Sequence, residues 1–182
     1  MALDIYTFVE ALWIIIPAYA ANGFAPFARY IRNTHRIDGG WNFLGKPIFG
    51  PGKTWEGLMI GTFFGILIAA VEMLAFPYLP FEISPVTLLV VPMSPFIGFF
   101  LGFGAMFGDL IGSFVKRRVN IERGKSAPIL DQDDFVVGAF LLLWLMLPLK
   151  WEWLVWMLFF TPMLHVTASF IAFRLGIKKD AF

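Results

Sequence analysis

The sequence predicts an all-α, polytopic membrane helix bundle of five transmembrane helices, with the N-terminus outside and the C-terminus cytoplasmic. Three observations predict it: the composition, the five apolar stretches and the places where the basic residues fall. Of 182 residues, 59% are hydrophobic and only 15% charged, with 22 Phe and 7 Trp, and the mean hydropathy is +0.75. A soluble domain carries about 25% charged residues and needs them to cover its surface. Disordered chains are poor in apolar residues and rich in charge, so disorder is excluded. The long apolar runs leave too few residues for a large extramembrane domain. Residues 1–182 therefore read as a single transmembrane domain with two cytoplasmic loops, about 29–56 and 113–134. Cys is absent, which excludes disulfide frameworks, thiolate zinc sites and cysteine nucleophiles.

The five spans are expected at 5–28, 57–78, 86–112, 135–149 and 151–175, each measured against the roughly 20 residues that cross about 30 Å of hydrocarbon. In the first, Ala18-Tyr19-Ala20 imitates a signal-peptidase site. The residues before it carry Asp4 and Glu10 and no Lys or Arg, so the positive n-region is missing and the stretch reads as a span. The second and third carry glycine every fourth residue, at Gly57, Gly61 and Gly65 and again at Gly104, Gly108 and Gly112, with Gly98 and Gly102 as a further pair. Such stripes let helix backbones approach closely in lipid, so tight packing of spans 2 and 3 is expected. The fourth is short: Phe135 to Leu149 makes about 22 Å of helix. Two readings follow. Either its helix begins earlier and Asp131-Gln132-Asp133-Asp134 sits at membrane depth facing a wet cavity, or spans 4 and 5 form a thin hairpin with the acids at the surface. In the fifth, His165 lies mid-span and suits a helix–helix hydrogen bond. Glu10 and Glu72 are expected to reach an interface. Trp144, Trp151, Trp153 and Trp156 look like an interfacial belt.

Orientation follows from charge. Of the 14 Lys and Arg, five lie between spans 1 and 2, five between spans 3 and 4, and three at the C-terminal end, leaving Lys150 alone on the other side. The positive-inside rule then places both long loops and the C-terminus in the cytoplasm.

The first loop ends in Gly50-Pro51-Gly52-Lys53-Thr54-Trp55-Glu56-Gly57. It is not a P-loop, because G-x-x-x-x-G-K-[ST] needs Gly where Pro47 stands. Two readings remain open: an anion-binding turn in which Lys53 supplies charge, or a helix start capped by Thr54 with a positive-inside lysine. Glu56 would orient Lys53 or simply favour the helix N-terminus. The end of span 3 holds Asp109 after a largely apolar stretch, an expensive place for a carboxylate without a partner. If the helix continues, Asp109, Ser113 and Lys116 share a face; the plain alternative is an Asp–Lys pair that neutralises itself. Asp131 and Asp134 would share a helix face, with Asp133 pointing off it. Carboxylates without thiols suit Mg²⁺, or Mn²⁺, rather than Zn²⁺. Acids for a metal and bases for phosphates are what phosphoryl or nucleotidyl transfer requires.

Two blocks, Lys53-Thr54-Trp55-Glu56-Gly57 and Gly108-Asp109-Leu110…Ser113…Lys116-Arg117, followed by the acidic run, resemble the membrane cytidylyltransferase family that makes CDP-activated lipids. The chain departs from the bacterial and eukaryotic phosphatidate enzymes: it is shorter, lacks their Pro-Gly-His-Gly-Gly element, and has Gln132 where they carry Arg. The short form with Leu130-Asp131-Gln132 and Asp134 is similar to the archaeal branch, the CDP-archaeol synthases. The resemblance implies a CTP-dependent nucleotidyltransferase that joins CTP to a digeranylgeranylglycerol phosphate and releases pyrophosphate, in a multi-pass protein of the cell membrane with its active site on the cytoplasmic side. It implies Asp109, Asp131 and Asp134 as Mg²⁺ ligands. It implies a CTP-phosphate cradle of Gly50, Gly52, Lys53 and Thr54, with Lys116 and Arg117 on the triphosphate or the lipid phosphate. The alternatives are a cytidylyltransferase for diacyl phosphatidate, a small transporter, for which no internal repeat is found, or a membrane scaffold. A CDP-alcohol phosphotransferase is disfavoured, since Asp38-Gly39 is followed by Gly40-Trp41 rather than by that family's pattern.

Overall fold

The computed structural model describes residues 3–79, 82–83, 86–121 and 128–174. Five helices dominate: α1 (Ile5–Phe24), α2 (Trp55–Ala75), α3 (Pro95–Arg118), α4 (Pro128–Trp144) and α5 (Trp151–Arg174). Two short antiparallel hairpins join them, β1 (Asn42–Phe43) with β2 (Lys46–Pro47) and β3 (Glu82–Ile83) with β4 (Val86–Thr87). Among the described residues three segments, Ile5–Tyr30, Trp55–Tyr78 and Pro95–Arg118, are long and apolar enough to cross a membrane.

Each helix start has a local cause. Asp4 caps α1 through a capping box with Thr7, accepting from the Thr7 amide at 2.8 Å. Beyond Phe24 the chain tightens into a 3₁₀ segment, Ala25–Tyr30, where Pro26 removes an amide donor. Thr54 caps α2, its Oγ1 accepting from the Gly57 amide at 3.1 Å. Helix α3 begins at Pro95, not at 86 as expected. Ser94 caps it, accepting from Ile97 at 3.2 Å, and Pro95 takes the first helical position. The apolar residues before it form β4 and an extended lead-in. At the other end α3 runs through Lys116-Arg117-Arg118, basic residues that suit a helix C-terminus, and Asn120 at φ 64 follows. Helix α4 starts at Pro128, so it begins before Phe135 and the acidic run lies inside it. Its 17 residues make about 25 Å. The link between α3 and α4 is thus 119–127, shorter than the 113–134 expected, with 122–127 outside the described residues.

Helix α3 is the central element, packed against α1, α2 and α4, while α5 closes on α1 and α4. Its glycines make this possible on two sides. Towards α2, a Cβ added at Gly98 would strike Ala69 at 2.5 Å, and one at Gly102 would meet the Thr62 carbonyl at 3.0 Å. Gly104 and Gly108 instead abut Gly138, Ala139 and the Asp134 carbonyl on α4. Packing of α2 on α3 therefore uses Gly65, Gly98 and Gly102, and the second glycine stripe serves α4.

At the end remote from Lys53, Glu10 is buried, not at an interface: it is 4% exposed. Its carboxylate accepts from the Leu89 amide at 2.6 Å, from Lys150 Nζ at 2.6 Å and from Trp153 Nε1 at 2.8 Å. Trp156 Nε1 donates to Thr7 at 3.0 Å. Two of the four belt tryptophans thus turn inward, and Trp144 and Trp151 remain exposed. Glu72 is buried too, without a hydrogen-bond partner among the described residues. A further hydrogen bond between α1 and α5 joins Tyr19 and Thr161 at 2.8 Å; His165 is exposed.

Candidate active site

The connection from Tyr30 to Trp55 is folded onto itself by backbone pairing. The Ile37 amide donates to the Lys53 carbonyl at 3.0 Å and the Trp55 amide to the His35 carbonyl at 3.0 Å, so residues 35–37 run against 53–55. Glu56 secures this pairing. Its carboxylate accepts from the His35 amide at 2.9 Å and meets His35 Nδ1 at 2.7 Å. Glu56 therefore holds the loop and does not touch Lys53.

Asp38 organises the turn before Lys53. Only 8% exposed, it accepts from the Gly40 amide at 3.0 Å, the Phe49 amide at 3.1 Å and the Gly50 amide at 2.8 Å. Burial works to raise its carboxyl, but the amides of Gly50, Gly40 and Phe49 outweigh it and hold Asp38 below the ordinary carboxylate value. Gly50, at φ 95, then turns the chain, and the Lys53 amide closes the turn on the Gly50 carbonyl at 3.2 Å. Sequence reasoning did not single out Asp38 for this role, because its partners are backbone amides that leave no side-chain pattern.

The β1–β2 hairpin docks on α3 through Arg118. Its guanidinium donates to the carbonyls of Phe43, Lys46 and Pro47 and lies 4.9 Å from the Phe114 ring centre, while Lys46 Nζ donates back to the Arg118 carbonyl at 3.0 Å. Leu44 and Gly45, both at positive φ, make the two-residue turn that twisted hairpins favour.

With the loop fixed, Lys53 Nζ forms an ion pair with Asp109 Oδ2, joining the two sequence blocks. Both side chains are about one quarter exposed, at 24% and 25%. They line a cavity of about 440 Å³ bounded by α1 and its 3₁₀ extension, the loop, the start of α2 and α3. Gly52 and Thr54 line it as expected. So do Asn22, Arg29 and Thr34, which the motifs did not point to; the only signal was that polar side chains follow directly on an apolar span.

Asp134 approaches from α4. Its Oδ2 lies against Gly112, where any Cβ would collide with it, and it has no hydrogen-bond partner among the described residues. Asp134 is within electrostatic reach of Asp109, Lys116 and Lys53. Asp133 lies within electrostatic reach of Tyr19 on α1. Asp131 is in α4, but its side chain is outside the described residues. Arg117 donates to the Ile121 carbonyl at 2.7 Å and lies beside Gly50, where an added Cβ would be 3.9 Å from its Nε. Neither Lys116 nor Arg117 lines the cavity. Among the described residues no three acidic or histidine side chains form a metal-binding group. Asp109 and the unpartnered Asp134 oxygen nevertheless offer the hard oxygen donors that a divalent cation takes.

The model of the CarS-like CDP-archaeol synthase family matches residues 3–182. The chain is 37% identical to a CDP-archaeol synthase of Methanocaldococcus jannaschii, covering 92% of this chain and 93% of that one. It is 42% identical to one of Hyperthermus butylicus over 78% and 76%. A solved structure of an intramembrane enzyme for archaeal membrane lipids biosynthesis superposes with a TM-score of 0.69 at 32% identity, over 89% of this chain and 94% of that one. The resemblance first carried by the two short blocks thus extends over nearly the whole chain, which belongs to the CarS-like family of CDP-archaeol synthases.

Proposed function

We propose that the cavity beside Lys53 and Asp109 is where this membrane cytidylyltransferase brings CTP and the phosphate of a digeranylgeranylglycerol lipid together, on the cytoplasmic face of the cell membrane. The chain is a nucleotidyltransferase of CDP-archaeol formation. The observation that carries the placement is the Lys53–Asp109 pair, a phosphate-binding cation and a metal-binding carboxylate set on one cavity by two separate sequence blocks.

In this reading Lys53 and the Gly50–Thr54 turn hold the triphosphate, and Lys116 and Arg117 add positive charge from the end of α3. Asp109 and Asp134, with Asp131 from the preceding turn, would hold Mg²⁺, or Mn²⁺. The ion supplies charge neutralisation at phosphate oxygens. A lipid phosphate oxygen attacks the α-phosphorus of CTP, a new P–O bond forms, the α–β bridging P–O bond breaks, and its electron pair leaves with pyrophosphate. The attacking phosphate is already ionised, so no side chain need remove a proton. The chain's part is positioning and electrostatic stabilisation. All five helices cross the bilayer, with the N-terminus outside, the C-terminus inside and both long connections, 31–54 and 119–127, on the cytoplasmic side. The thirteen basic residues at that side support this orientation.

The test is turnover by purified protein in detergent with Mg²⁺, CTP and either unsaturated archaetidic acid or diacyl phosphatidate, detecting CDP-lipid and pyrophosphate. CDP-lipid from the ether substrate, lost in Asp109→Ala, is the expected result. Product from the diacyl lipid alone would move the substrate assignment. No product from either lipid with folded protein would overturn the reading.

A further inference from the structure

The 3₁₀ segment Ala25–Tyr30 forms the wall of the cavity on the side of α1, and its geometry separates two kinds of residue. A 3₁₀ helix has three residues per turn, so side chains three apart line up. Phe24, Phe27 and Tyr30 make such a row, with rings 5.5 Å and 6.0 Å apart, and all three are exposed, Tyr30 to 69%. Phe24 also stacks on Phe64 of α2 at 3.9 Å, tying the row to that helix. Ala25, Ala28 and Arg29 line the cavity. Their small members lie on Gly57, where an added Cβ would be 3.7 Å from the Ala28 Cβ. The segment is thus a thin partition, aromatic outside and cationic inside.

Arg29 stands at its edge. Its Nη2 donates to the Tyr30 hydroxyl at 2.6 Å and its guanidinium lies 4.7 Å from the Tyr30 ring centre. It pairs with no carboxylate among the described residues, whereas Lys53 across the cavity is paired with Asp109. Asn22, seven residues earlier in α1, also lines the cavity and makes no hydrogen bond with its side chain among the described residues. Arg29 closes a 26-residue apolar segment, Ile5–Tyr30, and so sits where hydrocarbon gives way to headgroups.

We propose that Arg29, with Asn22 in the lining of the same cavity, is the binding site for the phosphate of the lipid substrate, and that the Phe24–Phe27–Tyr30 row is the surface along which its chains lie. This rests on the cytidylyltransferase reading of the same cavity. A guanidinium offers a phosphate monoester paired, parallel N–H donors. Stacking on Tyr30 holds that fork at the rim, so a phosphate entering from the bilayer meets Arg29 before it reaches Lys53. CTP arrives from water and has the Gly50–Thr54 turn.

The experiment measures KM for each substrate separately in wild type, Arg29→Ala, Arg29→Lys and Tyr30→Phe. Thermal unfolding reports whether each variant is folded. Arg29→Ala is expected to raise KM for the lipid phosphate about tenfold or more, with KM for CTP nearly unchanged. Arg29→Lys restores part of the loss, because it keeps the charge without the fork. Tyr30→Phe gives a smaller rise. A rise in KM for CTP instead, or no change in either, overturns the assignment. Direct binding of the lipid phosphate without CTP provides an answer independent of turnover. Weaker binding by folded Arg29→Ala supports the site even if no cytidylyl transfer is found, and equal binding removes it.

Discussion

Lys53 and Asp109 lie 56 positions apart in the chain and close on each other as an ion pair in the lining of the cavity. The pair cancels two charges at the edge of a largely apolar bundle. On the proposed placement it would also set a competition: phosphates that engage Lys53 would loosen its hold on Asp109 and free that carboxylate for a cation. Lys53→Met and Asp109→Asn are each expected to lower turnover by about two to three orders of magnitude. The double variant should fall far short of the product of the two losses, because the residues act as one unit. Initial rates of CDP-lipid formation by the four proteins check this. A purely structural pair would instead show lowered melting temperature with turnover per folded molecule intact.

The second α3 glycine stripe makes a graded prediction. A Cβ at Gly108 meets the Asp134 carbonyl, which is backbone and cannot step aside, whereas one at Gly112 meets the Asp134 carboxylate, which can rotate. Gly108→Ala should destabilise the bundle by about 1–3 kcal/mol or prevent assembly. Gly112→Ala should fold with a smaller loss and still lower activity, since it displaces Asp134. Thermal unfolding in detergent beside turnover separates the two.

Asp38 gives a prediction about pH. Its carboxyl is held below its ordinary value of 3.8 in the folded loop, so its ionised form stabilises that loop. The contribution is complete above about pH 5 and is lost as pH falls through the folded value, below 3.8. Asp38→Ala leaves three amides without their acceptor and should cost about 1–3 kcal/mol at neutral pH. The melting-temperature gap between wild type and variant should narrow as pH drops below 4. A gap independent of pH would show that the ionised carboxylate is not what matters.

Glu10 and Lys150 form a buried pair at the opposite end. Lys150→Met should lower stability by about 3 kcal/mol, because Glu10 would be left charged and without its cation. Lys150→Met with Glu10→Gln should recover much of that loss. Melting temperatures of the single and double variants test this, and KM values for CTP should not move while the protein is folded.

Much of the helical framework was legible because apolar runs and caps are local signals: Thr54, Asp109 and the acidic run announced themselves by type and spacing. The start of α3 was not, since Val86 to Val91 is as apolar as a span and only Ser94 with Pro95 marks where helix begins. Trp153 and Trp156 read as belt residues because an indole suits both an interface and a buried acceptor, and the acceptors, Glu10 and Thr7, lie more than 140 residues away. The loop hid Asp38 and Arg29 for a related reason. Their roles depend on backbone amides and a 3₁₀ turn, which leave no periodic trace in the side chains.

The Glu10–Lys150 contact also has a bearing on how the protein is made. Synthesis runs from the N-terminus, so α1 enters the bilayer while its partner cation, 140 residues later, does not yet exist. Until the α4–α5 turn is delivered, Glu10 has no cation to pair with, and the contact that ties α1 to that turn cannot form. Of the five described helices, α1 is thus made before the others and locked only when the turn between α4 and α5 arrives.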